Sequence, residues 1–244
     1  MMKKIIFTLF ALLIAACQQA PHDQLIVYVE NEKDVEPYKT RIIVTPKFIR
    51  FDEGDESNTF LLFDRVKKLA HSVNHEMKNM MVLHGKETAV SAPMELNHSV
   101  KIIDDIKDAP KIAGVTPIHR QHSTNDQVCF DVISAQGLMP EAVKAMIEFH
   151  EMLSTDSAST FNVMPADMHD PCAISMSTFA PTRHLQHGFP VQEWKSGYAR
   201  SLVDYQEKYK ADANLFVLPK DYFSYTVQEF REGRVDMMNQ KVFS

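Results

Sequence analysis

FLLFDRVKKLAHSVNHEMKNMMVLHG, residues 60–85, holds three short apolar runs, Phe60–Phe63, Leu69–Asn74 and Met80–Leu83, parted by polar pieces of a few residues each. Runs of this length, rich in branched, aromatic and large aliphatic side chains, suit a pleated strand and are too short for a packed helix. Connections this brief join antiparallel neighbours, because a parallel crossover takes a dozen residues or more. The stretch therefore predicts successive hairpins. Upstream, Leu25–Val29, Lys39–Thr45 and Lys47–Phe51 continue the pattern, with Pro46 at a bend or edge. The first third reads as a β-meander. Its turn at Asp52–Asn58 carries Asp52, Glu53, Asp55 and Glu56, but Gly54 comes too early for a calcium loop and no glutamate closes the twelfth position. A solvated hairpin turn is the expectation there.

The middle changes period. In GLMPEAVKAMIEFHEMLS, Pro140 suits a first helical turn, and Ala142, Val143, Met146, Phe149, His150 and Leu153 recur at spacings of three and four. Glu141, Lys144, Glu148 and Glu151 take the opposite face. This predicts an amphipathic helix, with His150 packed at the edge of its apolar stripe. Strand patterns then return at Cys172–Ser177, Val191–Lys195, Tyr198–Tyr209, Asn214–Leu218 and Tyr222–Tyr225. The expected fold is mainly β (α+β), a curved antiparallel sheet or half-barrel with one helical insertion, spanning residues 25–225. A loose tail or short helix is expected over 226–244.

The amino terminus speaks to location. Lys3 and Lys4 precede an apolar run, Ile5–Ala16, of about 12 residues where a membrane span needs about 20. That is the pattern of an export signal. Ile14-Ala15-Ala16-Cys17 resembles the bacterial lipobox, which implies cleavage after residue 16 and lipidation of Cys17; the competing reading is a plain secretory signal with an incidental cysteine. A lipidated thiol is chemically capped, and several acyl chains on one residue anchor far better than one. Residues 17–24 then form a short polar tether, and by resemblance to the sorting of such lipoproteins Gln18, in place of an acidic residue after the cysteine, implies the outer membrane facing the periplasm.

Removing the signal takes the net charge from −6 to about −8. An acidic balance without basic clusters in sequence argues against nucleic acid and against electrostatic docking to anionic lipid. Cys129 and Cys172 remain, and in an oxidising compartment a single disulfide closing a loop of about 44 residues is the expected state, two unpaired thiols being the alternative. Histidines come in near pairs: His71 with His75, His119 with His122, His184 with His187. On a strand, His71 and His75 would lie about 13 Å apart, too far to share an ion. The other pairs sit in segments without helical period. No nucleophile elbow, phosphate loop or dinucleotide fingerprint is present. The sequence predicts no enzyme, no cofactor and no metal.

With these elements in order, the chain resembles the LolA/LolB-like superfamily, and within it a poorly characterised branch of periplasmic and lipid-anchored bacterial proteins. The residues that carry the likeness are the hairpins of 60–83, Lys111-Ile112-Ala113-Gly114, the helix after it, Gly188-Phe189-Pro190 and Leu215–Pro219. The branch follows its Ile-Ala-Gly segment closely with a cysteine, where this chain has Val115-Thr116-Pro117 and reaches Cys129 only later. The resemblance implies a half-barrel whose concave apolar face is covered by helix and holds acyl chains or a hydrophobic partner. Leu62, Leu69, Val73, Met81, Met146, Phe149, Ile174 and Met176 are its candidate lining. The expected function is an outer-membrane lipoprotein that binds a lipid or lipidated protein without covalent chemistry. The alternative is an envelope scaffold or assembly factor that binds a protein partner and has no internal cavity.

Overall fold

The computed structural model describes residues 22–85, 91–106, 108–161, 165 and 168–243; the expected signal peptide, Cys17 and most of the tether lie outside them. Six strands open the chain: β1 (Asp23–Glu32), β2 (Tyr38–Val44), β3 (Phe48–Asp52), β4 (Thr59–Asp64), β5 (Leu69–Asn74) and β6 (Asn79–His84). They pair antiparallel in chain order, as their short connections require. Three further strands follow, β7 (His98–Ile103), β8 (Ile118–Thr124) and β9 (Gln127–Ala135), before the helix α1 (Pro140–Phe161). After α1 come the short helix α2 (Pro171–Ile174), a π-helical turn at Ser175–Phe179 and a 3-10 turn at Arg183–Leu185. β10 (Phe189–Lys195) and β11 (Tyr198–Tyr209) complete the large strands, and β12 (Phe223–Thr226), α3 (Val227–Arg231) and the two-residue pair β13 (Val235–Asp236) and β14 (Lys241–Val242) end the chain.

Twelve strands form one curved, unclosed sheet in the order β12-β6-β5-β4-β3-β2-β1-β11-β10-β9-β8-β7. All neighbours are antiparallel except β12, which runs parallel to β6. β1 is central because β11 returns along its free side, joining the six-stranded meander to the second group of strands.

Alternation decides what each face meets. Ile26, Tyr28, Ile42, Val44, Ile49, Phe63 and Ala70 pack beneath α1, against Ala142, Ala145, Met146, Phe149 and Met152. The ring of Phe149 lies between Phe51 and Phe63, at centroid distances of 4.8 and 5.5 Å. Thus the period-3.6 stripe of the helix and the period-2 stripes of the strands bury each other. On the opposite face Phe60, Leu62 and Val73 form a second cluster with Phe48, Phe216, Leu218 and Tyr222. The segment after β11 makes that cover: Ala213–Phe216 is a 3-10 turn rather than a strand, capped by Asp212. Arg50 ties it down, with its guanidinium 3.8 Å from the Phe60 ring centre and its Nη1 donating to Leu215 O at 2.7 Å.

Two further sequence expectations change. Cys172–Ser177 is helical, because Pro171 opens a helical turn and the Asp170 carboxylate accepts the Ala173 amide. The acidic turn is only partly solvated: the Asp52 side chain is fully buried, bound by Arg41 at 2.7 Å and Arg50 at 2.5 Å. In the tail, where a loose segment or a short helix is expected, the short helix α3 is present, closed by a capping box between Thr226 and Glu229. Phe149→Ala tests the central packing. It should cost about 3–5 kcal/mol, because two ring neighbours lose their partner in a site α1 cannot refill; urea unfolding of the variant measures it, and a loss below about 1 kcal/mol would mean α1 is not the core's keystone.

Candidate functional site

The chain between α1 and β10 folds back onto the far end of the inner face, and three attachments hold it there. Cys129 of β9 is bonded to Cys172 at the start of α2, with Cα atoms 5.1 Å apart. Arg183 donates to Ser123 O at 2.9 Å and Thr124 Oγ1 at 3.1 Å, with its guanidinium against the Phe130 ring. Gly188 turns the chain into β10 at a positive φ of 115°, and a Cβ there would meet Ala135 O at 2.6 Å, so only glycine passes.

Where this segment, the far half of α1 and the sheet converge, packing is incomplete. A cavity of about 250 Å³ remains, walled by Phe130, Met176 and Trp194 and by the polar or charged His150, His184, Glu193, Lys195, Tyr198 and Arg200. β10 and β11 supply its charged floor by register: Glu193 lies directly opposite Arg200, and Glu30 of β1 is opposite Arg200 on the other side. Glu193 binds the Arg200 guanidinium through both Nε and Nη2. Arg200 also stacks on Tyr28, 4.7 Å from its ring centre. Burial disfavours charge on Arg200, yet the Glu193 carboxylate beside it outweighs that and holds its pKa above the ordinary value. Tyr28 and Tyr198 are both held above the usual phenol value, chiefly by burial. Their hydroxyls donate to Pro190 O at 2.6 Å and Glu30 Oε2 at 2.8 Å.

Four histidines gather around this floor. His150 and His184 meet edge to face with ring centres 5.3 Å apart, and His184 is also edge-on to Phe130. His122 lies flat on Phe130 and faces His187, and neither nitrogen of His122 has a hydrogen-bond partner. Burial, reinforced by neighbouring cations, pushes His122, His150 and His184 down to about 3. His184 Nε2 is 3.7 Å from Glu193 Oε1, but that carboxylate is already bound by Arg200, so the contact joins a neutral imidazole to an ion pair. On the other side of β8, His119 contacts Asp105 through Nδ1 and Asp131 through Nε2, each at 2.9 Å, with its ring against Trp194. Among the described residues no group of three histidine, cysteine or carboxylate side chains is placed to hold a metal ion.

The predicted lining divides. Met176 lies on the cavity wall. Met146 and Phe149 are closed into the core beneath α1, and Met81 is half-buried on the same side of the sheet, by its register opposite Ser72. Ile174 is fully buried in α2. Leu62, Leu69 and Val73 face the other side: Leu62 and Val73 belong to the outer cluster, and Leu69 alternates with Val73 along β5. The single lining expected of these three with Met81, Met146 and Phe149 is therefore split between two faces, because the alternation of a strand does not say which face a helix will cover. The Glu193–Arg200 pair and the grouping of histidines had no counterpart in the sequence reading. Only the pairing of β10 with β11 brings 193 to 200, and the spacing of the histidines carries no signal for their meeting across four elements.

No family model matches the chain, and no curated protein matches it. Among solved structures it is similar to an uncharacterised conserved protein of Thermus thermophilus, at 7% identity and a TM-score of 0.41, over 84% of this chain and 91% of that one. It is also similar to PNGF-II in two crystal forms, at 11% and 8% identity with TM-scores of 0.42 and 0.41, over 91% of this chain; it spans 35% of the PNGF-II chain.

Two outcomes are expected of this site. Arg200→Met should destabilise the protein by about 3–5 kcal/mol, because it strands the Glu193 carboxylate in the interior. Arg200→Met combined with Glu193→Leu should recover much of that loss, and equal destabilisation of single and double variants in chemical unfolding would show that the pair is not what matters. The buried histidines predict acid sensitivity. They stay neutral when folded and take up protons once unfolded, so stability is full above their ordinary value of 6.5 and falls as pH drops from there toward 3. Each contributes a slope of up to about 1.4 kcal/mol per pH unit. Urea midpoints at pH 7 and pH 5 should differ strongly, and the difference should shrink in His122→Phe.

Proposed function

We propose that this chain is a lipid-anchored protein of the bacterial cell envelope, held at the outer membrane through Cys17, that binds a hydrophobic or amphipathic ligand without covalent chemistry. The observation that carries the reading is the cavity beside Trp194, where the inner face of the sheet is left unfilled between aromatic and thioether walls. Ligand sites combine such walls with a few fixed polar groups, and here those are Tyr198, His150, His184 and the compensated Glu193–Arg200 pair. With Glu193 and Arg200 paired and the exposed Lys195 at the rim beside the Tyr198 ring, the site suits an amphipathic ligand with a weakly polar or carboxylate end. Its volume is below the roughly 300–1,000 Å³ common for drug-sized ligands. The site as folded therefore suits a short chain end or a single ring, and a longer acyl chain requires the core beneath α1 to open. The likeness to the LolA/LolB-like superfamily supports the same reading.

A scaffold reading has one observation in its favour. Among the described strands, β7 ends the sheet and pairs with β8 alone. It exposes Val100 and Ile102 on one face, as a strand awaiting another strand would.

The test uses the chain from residue 17 with Cys17→Ser, titrated with dodecanoate and observed by native mass spectrometry. Saturable uptake, scored by mass, that disappears in Met176→Trp is the expected result. A clean unliganded mass would overturn the ligand-binding reading and move the search to partners of β7.

A further inference from the structure

The position of the anchor on this fold constrains which end of the sheet meets the membrane. Cys17 precedes β1 by about six residues, a tether that reaches about 20 Å when fully extended. The start of β1 is therefore held close to the bilayer, while its far end at Glu32 is about 30 Å further along the strand. Glu32 is opposite Tyr198, so the cavity mouth belongs to that far end.

Beside the meander and α1 the two ends differ in charge, a difference invisible in the chain's overall balance; across β1, where Asp23 lies opposite Tyr209, the exposed Lys208 and Lys210 are matched by Glu207 and Asp212. Around the start of β1, His22, Val44, Thr45, Pro46, Arg65, Glu141 and Lys144 border one shallow hollow. The Arg65 amide donates to Lys47 O at 2.9 Å, which brings the β4–β5 turn beside the β2–β3 turn. Lys47, Lys67, Lys68 and Lys144 are all exposed here, and Val66, at the tip of the β4–β5 turn, is 74% exposed. Asp64 and Glu148 are mostly shielded and already face Lys67, Lys68 and Arg65. Glu141 is the exposed carboxylate of the hollow. At the other end of β1, the β1–β2, β3–β4 and β5–β6 turns expose Glu32, Asp34, Glu36, Glu53, Asp55, Glu56 and Glu76.

We propose that the end of the sheet around Lys47, Lys67, Lys68 and Lys144 is a membrane-contacting face that rests on anionic lipid headgroups. The acidic end and the cavity mouth then point away from the bilayer. The inference rests on the proposed anchoring at Cys17 for its biological setting, but the surface itself acts without it. A lysine near an anionic surface contributes about fivefold to partitioning. A short tether raises the effective concentration of the face at the bilayer, so a weak contact suffices to orient the domain. The sequence argued against such docking because these lysines are dispersed over residues 47–144; the turns and α1 bring them together. A ligand entering the cavity would then come from the aqueous side, not from the membrane that holds the anchor.

The chain from residue 17 with Cys17→Ser, which retains every described strand and helix, tests this by sedimentation with vesicles. Binding is expected to phosphatidylcholine vesicles containing about one third phosphatidylglycerol, to be weaker by at least tenfold on pure phosphatidylcholine, and to fall with added salt. Lys47→Gln, Lys67→Gln and Lys144→Gln together should remove at least tenfold of it, whereas Lys33→Gln with Lys78→Gln at the other end should not. A polarity-sensitive label on Val66→Cys should shift on anionic vesicles, and the same label on Ser196→Cys should not. Equal binding to both vesicle types, retention in the triple variant, or a shift at 196 in place of 66 would overturn the proposal. Acylation of Cys17 is read separately, from the mass of its peptide in the membrane-isolated protein, so failure of the anchor and failure of this face are told apart.

Discussion

The sheet depends on one burial: the inner face of the meander is covered chiefly by α1. A strand pattern that alternates every second residue leaves an apolar surface that water will not tolerate, and an unclosed sheet cannot supply its own second layer. Phe149, set between Phe51 and Phe63, lies in the middle of that contact. From it follow the curvature that wraps the helix, the position of the segment after α1, and the place where the covering ends. The outer cluster of Phe60, Leu62 and Val73 is a smaller version of the same solution, closed by chain that follows β11.

The cavity lies where this cover stops. On the side of α1 toward β10, His150 stands where an apolar side chain would otherwise pack, while Met152 after it still belongs to the core. Beyond that point the sheet presents Glu193 and Arg200 to the interior, a pair whose desolvation is offset by mutual contact and by the face of Tyr28. The histidines around the pair are kept neutral by burial, so the site is polar in composition but carries little net charge. Such a compromise between packing and polarity is weak as a stability device and marks the part of the inner face where something other than core could be accommodated.

The disulfide and Arg183 make that region a fixed structure. Cys129–Cys172 spans a sequence separation of 43 and binds the start of α2 to β9. Arg183 then binds the following turn to the carbonyl of Ser123 and the hydroxyl of Thr124. With the 3-10 turn so held, His184 is presented to the cavity wall, and Gly188 allows β10 to start at once. The closing segment and the strand that carries Glu193 are thus positioned by the same local constraints.

Much of this was legible without coordinates. The hairpins of β1–β6, the amphipathic α1, the β10–β11 return and the predominance of β structure all follow from local periodicity and connection length, which short-range sterics and burial enforce. The expected export signal and the Cys17 motif are local patterns as well, and they lie outside the described residues. What periodicity could not decide is which face of a strand meets a helix, and so Leu62, Leu69 and Val73 went to one side while Met81 went to the other. Nor could it see Pro171 and Asp170 converting an alternating segment into helix, where capping outweighed β pattern. The cavity, the Glu193–Arg200 pair, the histidine group and the separation of lysines from carboxylates between the two ends of the sheet arise from pairings between residues distant in sequence. Those belong to the tertiary structure alone, because strand register and the docking of α1 choose neighbours that no spacing along the chain encodes.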